Sequence, residues 1–148
     1  MTTVVVDASV VVKWIVADRP GEPQAEQALQ MLRLITDARL SVVQPQHWLA
    51  EVAAVIARLE PTVAREAISL LYALEFPVAD GVEVYRQACA LATTLKQHLF
   101  DTLYQAVALT EPDAVLVTAD ERYYRKAVRA GRIVRLRDYR PPENGILD

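Results

Sequence analysis

Asp7, Glu51, Asp101 and Asp120 stand where apolar stretches of the chain begin or end. An unpaired ionised carboxylate near a core costs several kcal/mol, or neutralises itself by a pKa shift. Two carboxylates about 4 Å apart repel by roughly 1 to 4 kcal/mol at effective dielectrics between bulk water and protein. A divalent cation reverses that penalty. Mg²⁺ or Mn²⁺ would take two or three of these oxygens, keep several waters, acidify one of them and stabilise charge on a phosphoryl oxygen.

Other metal chemistries have little support. Cys89 is the only cysteine, which excludes an internal disulfide and a thiolate-rich zinc site. His47 and His98 are the only histidines and lie far apart in sequence, so the expected metal is hard and oxygen-ligated. Cys89, within Ala88-Cys89-Ala90-Leu91-Ala92, reads as a small core residue. Gly21, Gly81, Gly131 and Gly145 form no phosphate-cradling motif, and the P-loop pattern is absent.

Each acid also has a purely local reading. Asp7, with Ser9, can cap the helix that follows it, and Thr118 with Glu121 can form a capping box around Asp120. Asp101 can simply start its helix, and Glu51 can sit at the rim of an amphipathic face.

The elements that must position these groups follow from periodicity. Thr3 to Val6 is a β-branched run suited to a strand buried on both faces. A helix is expected over Ala8 to Val16, then a loop over Asp18 to Pro23 and an amphipathic helix from about Gln24 to Thr36. Leu40 to Val43 is a strand candidate closed by Pro45. Leu49, Val52, Ala53, Ile56 and Leu59 recur at helical spacing between Gln46 and Pro61. Further helices are expected over Thr62 to Leu74, Gly81 to Gln97 and Asp101 to Leu109, with Phe76-Pro77-Val78 a weak edge strand. Ala114 to Val117 is a second buried strand. A helix from Glu121 to Ala130 ends at Gly131, and Ile133-Val134 begins a last short strand.

Strands alternating with helices predict a three-layer α/β/α sandwich around a central, mainly parallel sheet. In such a sheet ligands bind beyond the carboxyl ends of the strands, where Asp7 and Asp120 are expected to open. Trp14, Trp48 and the leucines from Leu49 to Leu74 are expected in the core, some of them forming a partner surface.

The chain has 148 residues, 53% of them hydrophobic, which suits a single domain over 1–140 followed by a loosely ordered tail over 141–148. No apolar stretch approaches the roughly 20 residues that span a bilayer, and Met1-Thr2-Thr3-Val4 lacks a signal peptide's basic and apolar regions. A cytoplasmic location is the expectation. The net charge of −3 hides an asymmetry: residues 1–121 carry 8 basic and 16 acidic side chains, residues 122–148 carry 8 basic and 3 acidic. Arg122, Arg125, Lys126 and Arg129 are spaced to share a helical stripe able to hold phosphates. Arg132, Arg135, Arg137 and Arg140 extend the basic segment, and Tyr123, Tyr124 and Tyr139 could stack on unpaired bases. A solvated helix face is the alternative.

Val4-Val5-Val6-Asp7-Ala8-Ser9-Val10, Leu49-Ala50-Glu51-Val52, Phe100-Asp101-Thr102-Leu103-Tyr104 and Val117-Thr118-Ala119-Asp120, in that order, resemble the PIN-domain nucleases, most closely the toxin ribonucleases of the VapBC type. The likeness covers essentially the whole chain. It implies that Asp7, Glu51, Asp101 and Asp120 are metal-binding catalytic carboxylates, with Ser9 and Thr118 as supporting hydroxyls. It implies Mg²⁺- or Mn²⁺-dependent cleavage of RNA, a homodimer, and inhibition by a cognate antitoxin. One departure is Phe100-Asp101-Thr102, where family members often have Tyr-Asp-Ala; the acid is retained.

Two other functions are compatible with this pattern. An aspartyl-phosphate phosphatase would use Asp7 as nucleophile, but Ser9 stands where that chemistry commonly has a second acid. A non-catalytic module would keep the fold and bind RNA or a protein without cleavage.

Overall fold

A computed structural model describes residues 2–142; the tail expected from Pro141 lies, from residue 143 on, outside the described residues. The strands are β1 (Thr3–Val6), β2 (Ser41–Val42), β3 (Gln44–Pro45), β4 (Val78–Ala79), β5 (Ala114–Thr118) and β6 (Ile133–Arg135). The α-helices are α1 (Ala8–Val16), α2 (Ala25–Thr36), α3 (Trp48–Leu59), α4 (Ala64–Tyr72), α5 (Val82–Leu95), α6 (Leu99–Thr110) and α7 (Glu121–Ala127).

The central sheet has the order β2-β1-β5-β6, and every pairing in it is parallel. Successive strand residues face opposite sides, yet Val4, Val5 and Val6 are all fully buried, so helices cover both faces. The fold is therefore α/β with a parallel sheet flanked by helices. One core cluster reaches from Val4 to Leu136, with Trp14 and Trp48 both packed on Phe76. Among the described residues no helix is long and apolar enough to cross a membrane.

The sheet order places a switch point at its centre. From β1 the chain first adds β2 on one side and later β5 and β6 on the other, so the crossovers diverge between β1 and β5. Register there is set by Val6 opposite Val117, and Asp7 N–H donates to Val117 C=O at 3.0 Å. Asp7 therefore leaves the sheet beside Thr118, at the crevice where open parallel sheets bind ligands.

The region after β2 departs from expectation. The strand expected over Leu40 to Val43 stops at Val42, and Gln44–Pro45 instead pairs with Val78–Ala79 in a separate two-stranded parallel sheet. Pro77 cannot donate, but its carbonyl accepts from Gln44 N–H at 2.9 Å. The Gln44 side chain then completes the main sheet: Val6 N–H donates to its Oε1 at 2.7 Å and its Nε2 donates to Val6 C=O at 2.9 Å. This fully buried carboxamide substitutes for a neighbouring strand at the last residue of β1.

Other corrections are local. α3 begins at Trp48 and α4 at Ala64, each two residues later than the periodicity indicated. The helix expected over Glu121 to Ala130 is α-helical only to Ala127 and tightens into a 3₁₀ turn over Val128–Ala130, ending at Gly131 with φ +92°. Cys89 is exposed: α5 buries Val84, Ala88 and Leu91, and the next position after Ala88 turns outward.

Candidate active site

Asp7 and Asp120 both perform the capping jobs open to them. Asp7 Oδ2 accepts from Ser9 N–H at 3.0 Å and also from Ser9 Oγ, while Asp120 Oδ1 accepts from Tyr123 N–H at 2.9 Å. Capping uses only one oxygen of each. Asp7 Oδ1 and Asp120 Oδ2 accept no hydrogen bond among the described residues. The capping box expected from Glu121 does not form, because its carboxylate is turned to Arg135 at 3.4 Å and Arg137 at 3.5 Å.

Ser9 and Thr118 link the ends of β1 and β5. Ser9 Oγ donates to Asp7 and accepts from Ala119 N–H at 2.9 Å, and it lies 3.5 Å from Thr118 Oγ1. Thr118 Oγ1 in turn accepts from Asp120 N–H at 3.0 Å. Two hydroxyls thus fix the backbone and side chains that carry both acids.

Asp101 is not the start of its helix. His98 caps α6, its Nδ1 accepting from Phe100 N–H at 3.0 Å, and Asp101 sits in the first turn, where the helix dipole favours an anion. Its Oδ2 accepts from Gln97 Nε2 at 2.7 Å, and Gln97 Oε1 accepts from Lys126 Nζ at 2.9 Å. Asp101 Oδ1 accepts nothing among the described residues.

Glu51, one turn into α3, is partly buried, with His47 Nε2 3.6 Å from its Oε2. That imidazole nitrogen is committed at shorter range to Phe100 C=O, at 2.8 Å, and its ring packs on Tyr104 at 5.0 Å. His47 therefore joins the two helices that carry Glu51 and Asp101.

Electrostatics tie the four acids to one region. Burial pushes the Asp7 carboxyl up to about 6; the bonds from Ser9 pull it down, and the charges of Glu51 and Asp101 push it further up. Tyr104, fully buried between them, has its phenol raised by burial and by Asp7, Glu51 and Asp101. Its hydroxyl lies toward Glu51 yet has no partner that meets hydrogen-bond geometry among the described residues. Tyr123 is raised by burial and then by Asp101, Asp7 and Asp120.

The acids are neighbours without forming a closed cage. Among the described residues no three Asp, Glu, His or Cys side chains stand close enough to share a metal ion directly. The donor set is nevertheless all oxygen, each acid keeps an unbonded oxygen, and a buried hydroxyl is left orphaned beside them. Such a set suits Mg²⁺ or Mn²⁺ better than a softer ion, since Mg²⁺ is usually held by one or two carboxylates and its own waters.

The basic segment divides in two. Arg135 pairs with Glu121 and Asp138 and lies 4.9 Å over the Tyr124 ring, Arg137 pairs with Glu121, and Arg132 and Arg140 donate to backbone carbonyls. Arg122, Arg125 and Arg129 are exposed and make no ion pair among the described residues, although Arg129 sits on the 3₁₀ turn beyond α7. The tyrosines expected to stack on bases are engaged elsewhere. Tyr123 is buried and donates to Gln105 Oε1 at 2.7 Å, Tyr139 has its hydroxyl buried, and Tyr124 lies under Arg135.

Gln44, Gln97, His47 and Tyr104 escaped the sequence reading of the site. Only His47 and Tyr104 carried a signal: His47 is four residues before Glu51 and Tyr104 three after Asp101, one turn away in each case.

Among curated proteins none matches the chain. The family model described as PIN domain matches residues 4–129, which include all four acids. That domain is generally a nuclease fold, acts on nucleic acid and typically uses divalent metals. The chain belongs to the PIN domain family.

Proposed function

We propose that the protein is an Mg²⁺- or Mn²⁺-dependent endoribonuclease that cleaves RNA phosphodiester bonds, and that it is the toxin of a VapBC-type toxin–antitoxin pair, homodimeric and held inactive by its antitoxin. The observation that supports the catalytic reading is that Asp7 and Asp120 lie at the β1/β5 switch point, that the charges of Glu51 and Asp101 reach Asp7, and that each of the four retains an oxygen free of hydrogen bonds among the described residues.

Asp7, Glu51, Asp101 and Asp120 are the residues that would hold the ion. When bound, the ion supplies charge stabilisation on the phosphoryl oxygen and acidifies a water. The chain's own contribution is placement. Ser9 holds Asp7 through two hydrogen bonds, Thr118 holds the Asp120 backbone, and Gln97 holds Asp101. Half-burial keeps the region poor in water, which strengthens charge interactions there. Arg122 and Arg125 on α7 offer unneutralised cations to the phosphate chain.

The phosphatase alternative gains nothing from the geometry. Lys13, the lysine nearest to Asp7 in sequence, is committed to Glu22 at 2.6 Å and Pro23 C=O at 2.8 Å, so it is not free to neutralise a phosphoaspartate.

The test is direct. Purified protein is expected to degrade RNA with Mg²⁺ or Mn²⁺ and to stop in EDTA, and Asp101→Asn is expected to lower the rate at least about a hundredfold, in the range found for removal of one electrostatic group from an active site. An unchanged metal-dependent rate in Asp101→Asn contradicts the mechanism. Tight RNA binding without cleavage across both metals would favour a non-catalytic module. For the toxin assignment, expression should arrest growth, and co-expression of the small neighbouring reading frame should restore it.

A further inference from the structure

Phe100 is the large aromatic residue left open beside the acids: 51% of its surface is exposed, and it directly precedes Asp101. It is held on both sides. Its N–H donates to His98 Nδ1 at 3.0 Å and its carbonyl meets His47 Nε2 at 2.8 Å. Its ring packs against the same two imidazoles, edge-on to His98 at 4.8 Å and tilted to His47 at 5.1 Å. The ring is thus kept from folding onto the protein, and an apolar face is presented to solvent.

A cation serves the other end of Asp101. Lys126 Nζ donates to Lys96 C=O at 3.2 Å and to Gln97 Oε1 at 2.9 Å, both neutral acceptors, and Gln97 donates to Asp101. Its ammonium has no carboxylate partner among the described residues and lies one hydrogen-bonded side chain away from Asp101.

We propose that Phe100 and Lys126 form a subsite for one unpaired nucleotide of the substrate, its base stacked on Phe100 and its phosphate drawn to Lys126, with Asp101 between them. This rests on the ribonuclease reading and assigns the recognition of an unpaired nucleotide of its substrate to these two side chains. Within a duplex the base faces are covered by their neighbours, whereas a splayed base offers a π-face to an aromatic side chain. Every base has such a face, so the subsite selects strand state rather than sequence.

The experiment uses a short unstructured RNA carrying 2-aminopurine, alone and annealed to its complement, with Mn²⁺. Phe100→Leu is expected to raise KM for the single strand at least about fivefold with kcat within about twofold, because stacking contributes ground-state binding. It should also abolish the fluorescence quench, Phe100→Trp should restore both, and the duplex should be a poor substrate throughout. An unchanged KM and quench in Phe100→Leu overturns the subsite, while loss of cleavage in Asp101→Asn alongside keeps the nuclease reading intact. If Phe100→Leu instead dissociates an oligomer in sedimentation with KM unchanged, the residue belongs to a protein contact and the subsite is overturned. Failure of the unaltered protein to cleave either RNA with Mg²⁺ or Mn²⁺ removes the nuclease reading and the subsite together.

Discussion

Asp7 sets folding against chemistry in a single side chain. Its carboxyl rises from the ordinary 3.8 to about 6, chiefly through burial. Below about pH 3 it is protonated in both folded and unfolded chains and costs nothing. As pH rises toward 6 the unfolded chain ionises first, so stability falls; above 6 the penalty is complete, about 1 to 3 kcal/mol. Asn still caps a helix, so Asp7→Asn should raise the metal-free unfolding midpoint at pH 7 to 8, with the gain vanishing near pH 3. The same variant should lose metal-dependent cleavage. Thermal unfolding at several pH values checks the first outcome; equal midpoints for both proteins at pH 8 would contradict the burial argument. Acids of this kind were legible in the sequence because they interrupt apolar runs. Their partners were not: Gln97 reaches Asp101 only because Lys96 adopts φ +52° and ends α5 just before α6 begins.

At the level of elements, the sheet's integrity next to Asp7 depends on a side chain. Gln44 satisfies both backbone groups of Val6, and its removal leaves a buried N–H and C=O without partners. Gln44→Ala should therefore destabilise the protein by about 2 to 4 kcal/mol, from two orphaned polar groups at about 1 to 3 kcal/mol each, offset in part by water entering the gap. Urea denaturation measures this, and a loss under about 0.5 kcal/mol, the range of an ordinary surface substitution, would refute the strand-substitute role. The long elements were readable because β1 and β5 are short β-branched runs and the helices carry clear 3.6-residue periods. β3 was not, and β4 was visible only as the weak edge strand over Phe76-Pro77-Val78, since two-residue strands carry no periodicity and their pairing depends on which acceptors Pro77 leaves available. The inward turn of Tyr123 was likewise hidden, because its partner Gln105 lies on α6.

Across the whole molecule, charge is divided between an acidic body and a basic C-terminal segment, and folding then neutralises much of that segment internally. Arg135 and Arg137 are consumed by Glu121 and Asp138, so the free cations gather on α7. If those bind the RNA backbone, a doubled Arg122→Ala, Arg125→Ala substitution should weaken binding and reduce the slope of log affinity against log salt by about 1.4, at roughly 0.7 per phosphate contact on single strands. Fluorescence anisotropy with the cleavage-deficient Asp101→Asn background provides the measurement; an unchanged slope would leave the two arginines as ordinary solvated surface. The asymmetry in charge was legible from the sequence, but its consumption by ion pairs was not, because Glu121 had a plausible local role at the start of α7. In the nuclease reading Asp7, Glu51, Asp101 and Asp120 surround one catalytic cation site, one or two of them on the ion directly and the others through its waters. Anomalous diffraction from crystals grown with Mn²⁺ tests it most directly: the account predicts a peak ligated by Asp7 and at least one of the other three acids, and a peak elsewhere, or none in a protein that still cleaves RNA under the same Mn²⁺, would contradict it.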